Sequence, residues 1–465
     1  MTPSNDELAT SSDTDENGTA RPTSQPRILP RLAGAPLIPL STLSGVGLPV
    51  GTAWANWFAF FNALSWPVVL GAPLFLYAKD LGAGDAVLGL LAALPPLMAV
   101  LHIPGNHLIP RLGYRGMMIF GWGSRTLAVV AMALIPWILR GQSAALVALI
   151  ICLFAFSTFR GLAGGAWMPW VASLIPPDIR GRFFLRDQLY AQTGNLLALF
   201  LVALIFFSSP GGWQFSLAFL IAAAGGTASV LCLLPLPDIS SPEHHTEANS
   251  RKSFVQMLSE RKFRQLCIFN IAFMLVMGGL AVFTVAYLRG IAKLPQSEII
   301  IYSALAIVGG IISLFWCGTV LDHIGSRPII NWSLLGLILV FLAWWALASG
   351  IIPASWPFLS AIYLLSGVAG LNFSAANNRL QSLNIPKLGR NHHFAFLLVL
   401  LNVAAAISPI IWGLILECVG SRTWQTAGIH WNRYSLFFGS CAVLMIPVFF
   451  LSRALDDRPA QSEVP

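Results

Sequence analysis

Twelve apolar runs, separated by short polar turns, fill the chain between about residues 54 and 453. The first six are predicted at 54–78, 86–108, 116–139, 144–170, 187–208 and 213–235. The second six fall at 263–288, 298–321, 328–350, 355–378, 393–416 and 433–453. Each is close to the roughly 20 residues that an α-helix needs to cross a bilayer. The one long polar stretch between them, 237–262, holds Pro237, Pro242 and Glu243-His244-His245. It divides the chain into an N-terminal six-helix bundle over 51–236 and a C-terminal one over 263–455, with 237–262 as linker. Residues 1–50 are rich in Ser, Thr, Pro and Asp, begin acidic rather than basic, and are predicted to be a disordered tail. Residues 456–465 form a second short tail. The predicted fold is an all-α polytopic membrane protein.

The two sets of six repeat one another. Gly318–Arg327 reads G-T-V-L-D-H-I-G-S-R between segments 8 and 9, and a weaker copy, N-H-L-I-P-R-L-G-Y-R, occupies Asn106–Arg115 between segments 2 and 3. Gly113 and Gly325 are 212 residues apart, as are Arg115 and Arg327. Tyr77-Ala78-Lys79 is echoed by Tyr287-Leu288-Arg289, Ile175-Pro176 by Ile385-Pro386, and Gln192 by Asn402, all at an offset of 210. Six crossings per unit make the repeats parallel, related by an axis along the membrane normal.

Composition agrees. Charged residues are 10% of the 465 and hydrophobic ones 56%, with mean hydropathy +0.73. An ordinary soluble domain carries about 25% charged residues, so lipid is the solvent for most of this chain. The net charge of +8 is explained by topology rather than nucleic acid. With the N-terminus cytoplasmic, the tails, linker and even-numbered turns carry 19 Lys and Arg and the opposite side 6, leaving Arg125 and Arg160 inside helices. The positive-inside rule then places both termini in the cytoplasm, and an integral protein of a bacterial inner (plasma) membrane is expected. The six cysteines lie in or beside apolar runs without a C-x-x-C pair, which argues against a disulfide framework or zinc site. Without a G-x-x-x-x-G-K-[ST] motif, no nucleotide or other cofactor is expected.

Helix number, duplication and motif position resemble the major facilitator superfamily over about 54–455. That family's signature is G-x-x-x-D-x-x-G-x-[RK] between helices 2 and 3, with a degenerate copy between helices 8 and 9. Here the second copy fits at Gly318, Asp322, Gly325 and Arg327; the first keeps Gly113 and Arg115, with Pro110 where the acid belongs. The resemblance implies alternating access between the halves, a cytoplasmic gate built from these six residues, and a cavity lined by helices 1, 4, 7 and 10.

Polar groups at membrane depth are the candidate solute contacts. Arg125 and Arg160 have no acid on their own segments, so backbone carbonyls, Asp187 or an anionic substrate must satisfy them. Asn62, Gln192, Asn270, Asn372 and Asn402, with Trp66 as an apolar wall, complete the predicted substrate-binding set. Interhelical hydrogen bonding is the plainer role for any one amide. The sequence reading is thus a monomeric secondary active or facilitative transporter of a small anionic or polar organic solute, with the lipid bilayer as its other partner and no nucleic acid.

Two alternatives remain at this point. A proton-coupled drug antiporter would match Arg160 and Gly164 to an Arg-x-x-Gln-Gly pattern, but Ala163 stands where the Gln belongs. A membrane-embedded enzyme on lipid-linked substrates would need clustered acids and histidines; His392-His393 and His244-His245 show no acid at useful spacing.

Overall fold

Twelve helices long and apolar enough to span a membrane are found in the computed structural model, which describes residues 53–175, 180–207, 211–238, 254–385, 390–426 and 429–455. The predicted tails (1–50 and 456–465) and most of the linker lie outside the described residues; of the linker, a short helix, Phe254–Ser259, is seen.

The helices are α1 (Ala53–Asp80), α2 (Asp85–Asn106), α3 (Ile109–Ile138), α4 (Gln142–Val171), α5 (Arg180–Phe206) and α6 (Gly212–Leu233) in the first repeat. In the second they are α7 (Arg261–Gly290), α8 (Gln296–Ile324), α9 (Ser326–Ala348), α10 (Trp356–Asn384), α11 (Arg390–Val419) and α12 (Arg433–Ser452). Several outrun the apolar segments read from sequence. The helix is a backbone property and continues past the hydrocarbon into charged turns, so α5 starts at Arg180 rather than 187 and α10 runs on to Asn384.

One addition escaped the sequence reading. A two-stranded antiparallel hairpin, β1 (Trp424–Thr426) and β2 (Ile429–Trp431), fills the α11–α12 turn, and His430 N donates to Ser349 O at 3.3 Å. Asn432 follows as N-cap of α12: its side-chain oxygen accepts from Tyr434 N and Ser435 N at 2.9 and 3.0 Å.

The repeat is visible in the packing. Within the first half the main neighbours run α2–α4–α3–α6–α1–α5; within the second they run α8–α10–α9–α12–α7–α11. Adding six to each number of the first series gives the second. The halves meet along two seams, α2 against α11 and α5 against α8. The turns repeat too: Gly113 has φ 70°, ψ 166° and Gly325 has φ 92°, ψ 176°. That region is open almost exclusively to glycine.

Helix breaks sit where proline or paired glycine predicts them. α1 is interrupted at 70–71 before Pro73, α2 tightens into a 3₁₀ turn at Ala99–Leu101 after Pro95-Pro96, and α7 breaks at Gly278-Gly279. Pro409 stays within an unbroken α11 and does something else. Its carbonyl faces Gly89 of α2, where an added Cβ would stand 2.2 Å away, so the α2–α11 seam is a backbone-to-backbone approach.

Candidate functional site

Two polar assemblies stand out. The first lies at the end of the bundle opposite the termini, where the α1–α2, α7–α8 and α11–α12 turns converge. Asp80 pairs with Arg289 at 3.0 Å and accepts from the Gln296 amide. Asp85, whose carboxylate is fully buried, sits 3.0 Å from Arg433 and 3.8 Å from Lys79, and accepts from Tyr434 Oη at 2.9 Å. Two cations and a phenol offset the desolvation that a buried carboxylate suffers.

Glu417 completes this end. Helix α2 starts at Asp85 with no cap from its own chain neighbourhood, its N-cap being Gly84. The Glu417 carboxylate, 332 residues on, accepts from Asp85 N at 2.7 Å and Ala86 N at 3.3 Å. A carboxylate at a helix N-terminus satisfies orphan N–H groups and meets the positive end of the dipole. Gly84 leaves room for it, because a Cβ there would lie 2.7 Å from Glu417 Oε2. Apart from Lys79–Asp85, each of these ties joins one repeat to the other. Between pairs of described residues, the hydrogen bonds and ion pairs that cross between halves all lie at this end.

The second assembly is inside the first half. Asn62 of α1 accepts from Trp122 Nε1 at 3.1 Å and from Arg125 Nη2. The Arg125 guanidinium lies 4.6 Å from the Trp122 ring centre and 5.2 Å from that of Phe156, and the residue is 1% exposed. Arg160 lies 4.5 Å over the Trp66 ring and donates to Pro95 O at 3.5 Å. Trp66 follows Asn62 by one helical turn, and Arg160 follows Phe156 by one turn. Two turns of α1 and two of α4 thus hold the two guanidiniums in neighbouring layers.

Four of the eight sequence-predicted solute contacts, Asn62, Trp66, Arg125 and Arg160, therefore come together. The other four do not join them. Asn270 is fully buried between α7 and α10: it donates to Leu266 O at 2.9 Å and accepts from Asn377 Nδ2 at 2.6 Å. Gln192 accepts from Asn195 on its own helix, and Asn402 donates to Leu398 O on its own. Asn372, partly buried on α10, has a buried oxygen without a hydrogen-bond partner. Asp187, weighed as a counter-ion on sequence grounds, pairs with neither arginine.

Of the predicted gate, Gly113 and Gly325 form the two left-handed turns, the first beside the Asp238 carboxylate. Arg327 reaches the Arg453 carbonyl. Arg115 lies in the first turns of α3. Gly318 and Asp322 fall within α8, but their side chains lie outside the described residues. One sequence statement is corrected: His393, buried on α11, does find an acid, Glu260 at 3.7 Å. The two are 133 positions apart in the chain, beyond the reach of a spacing argument.

Sequence reasoning missed the converging acids. Asp80 and Asp85 bracket a Gly-containing turn at the ends of two apolar runs, and Glu417 lies 332 residues beyond Asp85.

The family model described as Major Facilitator Superfamily matches residues 50–350. Among solved structures, a variant of the nucleoside transporter NupG shares 16% identity, covering 87% of this chain and 99% of its own, with a TM-score of 0.66. The D-xylose-proton symporter shares 14%, covering 88% and 97%, with a TM-score of 0.64. A bacterial homolog of the human lysosomal transporter Spinster, in an inward-facing and unoccupied conformation, shares 15%, covering 88% and 97%, with a TM-score of 0.61. No curated protein sequence matches the chain.

Proposed function

Because this chain belongs to the major facilitator superfamily, we propose that it is a secondary transporter moving a small polar organic solute by alternating access between its two six-helix halves. The moving bodies are 51–236 and 263–455, with 237–262 as the connector. The ties at one end of the bundle carry this reading. Asp80, Asp85 and Glu417 hold the halves together at the end away from the termini, as a carrier shut towards that side requires. Opening that end requires Glu417 to leave the α2 N-terminus and Arg433 to leave Asp85, and water then replaces each lost contact.

The excess of Lys and Arg on the side of the termini, 19 against 6, supports a cytoplasmic location for that side in a bacterial inner membrane. The shut end then faces outward. The transport reading also leaves the polar residues of both halves without catalytic duty.

The test is distance measurement between spin labels in the α1–α2 and α11–α12 turns of the purified protein in lipid nanodiscs. The double variant Asp85→Asn/Glu417→Gln removes ties from both sides of the seam and is expected to populate a longer separation. One unchanged short distance in both proteins would defeat the proposal.

A further inference from the structure

Arg125 presents an unfinished site. The residue is 1% exposed, yet its Nε and Nη1 have no hydrogen-bond partner, and only Nη2 is used, on Asn62. Arg160, one layer away on α4, has a single long contact to a backbone carbonyl. Among the described residues neither guanidinium forms an ion pair with a carboxylate. Aromatic faces partly offset this: Trp122 and Phe156 for the first, Trp66 for the second. Cation–π contacts are weaker than the desolvation that a buried cation suffers. Two like charges in neighbouring layers add repulsion. An arrangement of this kind lacks its anion.

We propose that the solute carries an oxyanion, a carboxylate or a phosphate, that docks between Arg125 and Arg160. The inference rests on the transport reading and specifies the solute for the same site. The guanidinium fork fits such groups because it offers paired N–H donors in one plane, matching two oxygens of a carboxylate or phosphate. Asn62 fixes the plane of Arg125 by taking one Nη2 proton, which leaves Nε–H and Nη1, on different edges of the fork, as donors for ligand oxygens. Trp66, stacked on Arg160 and 38% exposed, offers apolar surface to the rest of the solute. Among the described residues, α7 and α10 of the second half bring the neutral amides Asn270 and Asn377, bonded to each other, and Asn372. Charge recognition therefore belongs to the first half alone.

The experiment uses the purified full chain and two minimal probes, acetate and inorganic phosphate, titrated against chloride at constant ionic strength while Tm is followed. A saturable rise in Tm is expected with at least one probe. Acetate alone acting identifies a carboxylate site, phosphate alone a phosphate site, and both a general oxyanion site. Arg160→Met should weaken that response about tenfold or more, since a hydrogen bond to a charged group is lost. Arg125→Met, which removes a buried and unsatisfied charge, should raise Tm in the absence of any anion and abolish the response. No saturable shift in the unmodified protein, or an equal shift in Arg160→Met, would overturn the proposal; both readouts survive if Arg125→Met does not fold. The spin-label distances are read separately, so a carrier that alternates without an oxyanion site is distinguishable from one that does not alternate.

Discussion

A single glycine shows how tightly this chain is specified at its turns. Gly325 occupies φ 92°, ψ 176° at the α8–α9 junction, and Gly113 repeats the conformation at the corresponding place in the first half. A side chain in that region costs about 1–3 kcal/mol. Gly325→Ala and Gly113→Ala should each lower stability by that order, measured as a drop in Tm of the purified variants. At Gly113 the added Cβ would also stand 3.2 Å from Asp238 Oδ1. These glycines were legible in the sequence because two copies of one motif place them 212 residues apart. The Glu417 cap was not legible. Its donors, the backbone N–H groups of Asp85 and Ala86, have no sequence signature, and only the fold brings them to a carboxylate on the far repeat.

Among elements, the seam between α2 and α11 sets the geometry of the interface. Gly89 approaches Pro409 O and Gly413 approaches Asp85 O, with added Cβ atoms at 2.2 and 2.7 Å. Related approaches join α2 to α4 through Gly105 and Gly161, and α8 to α10 through Gly309 and Gly367. Small residues let helix backbones come together where lipid supplies no hydrophobic drive. Gly89→Leu should therefore force the halves apart at the seam, reducing both Tm and uptake into proteoliposomes. Gly123→Leu on α3, where a Cβ would meet nothing within 4 Å, should leave both near the unmodified values. Helix number and order were readable from hydropathy alone, because every backbone polar group in lipid must be satisfied inside its own helix. Partner choice between helices was not. It depends on which face each small residue presents, and a nearly all-apolar helix carries almost no periodic signal of its faces.

Among the described residues of the whole molecule, the first half holds the buried Asp85 and Arg125, and α7 and α10 of the second hold the paired amides Asn270 and Asn377. Sequence reading placed Asn62, Trp66, Arg125 and Arg160 in one set with Asn270, Asn372, Gln192 and Asn402; the fold separates them. Residues on α1, α3 and α4 meet because those helices lie in one repeat, whereas Gln192 and Asn402 turn to partners on their own helices. Membrane depth was readable from sequence, but azimuth was not.

The uncompensated pair of guanidiniums also makes the protein an electrical device. In the proposed cycle, a transmembrane voltage falls across the outer end while it is shut, and Arg125 and Arg160 then take the potential of the compartment beside the termini. Reversing access transfers two positive charges to the other side of the field. Each elementary charge moved through the full drop is worth about 2.3 kcal/mol per 100 mV. A negative interior therefore holds the empty carrier facing inward, and a bound monoanion halves the charge that must move. Imposing a potassium diffusion potential across proteoliposomes should change the rate of the empty return step more than that of the loaded step, and Arg160→Gln should weaken the dependence. The current carried by an empty transporter would then report on its two arginines before any solute has been identified.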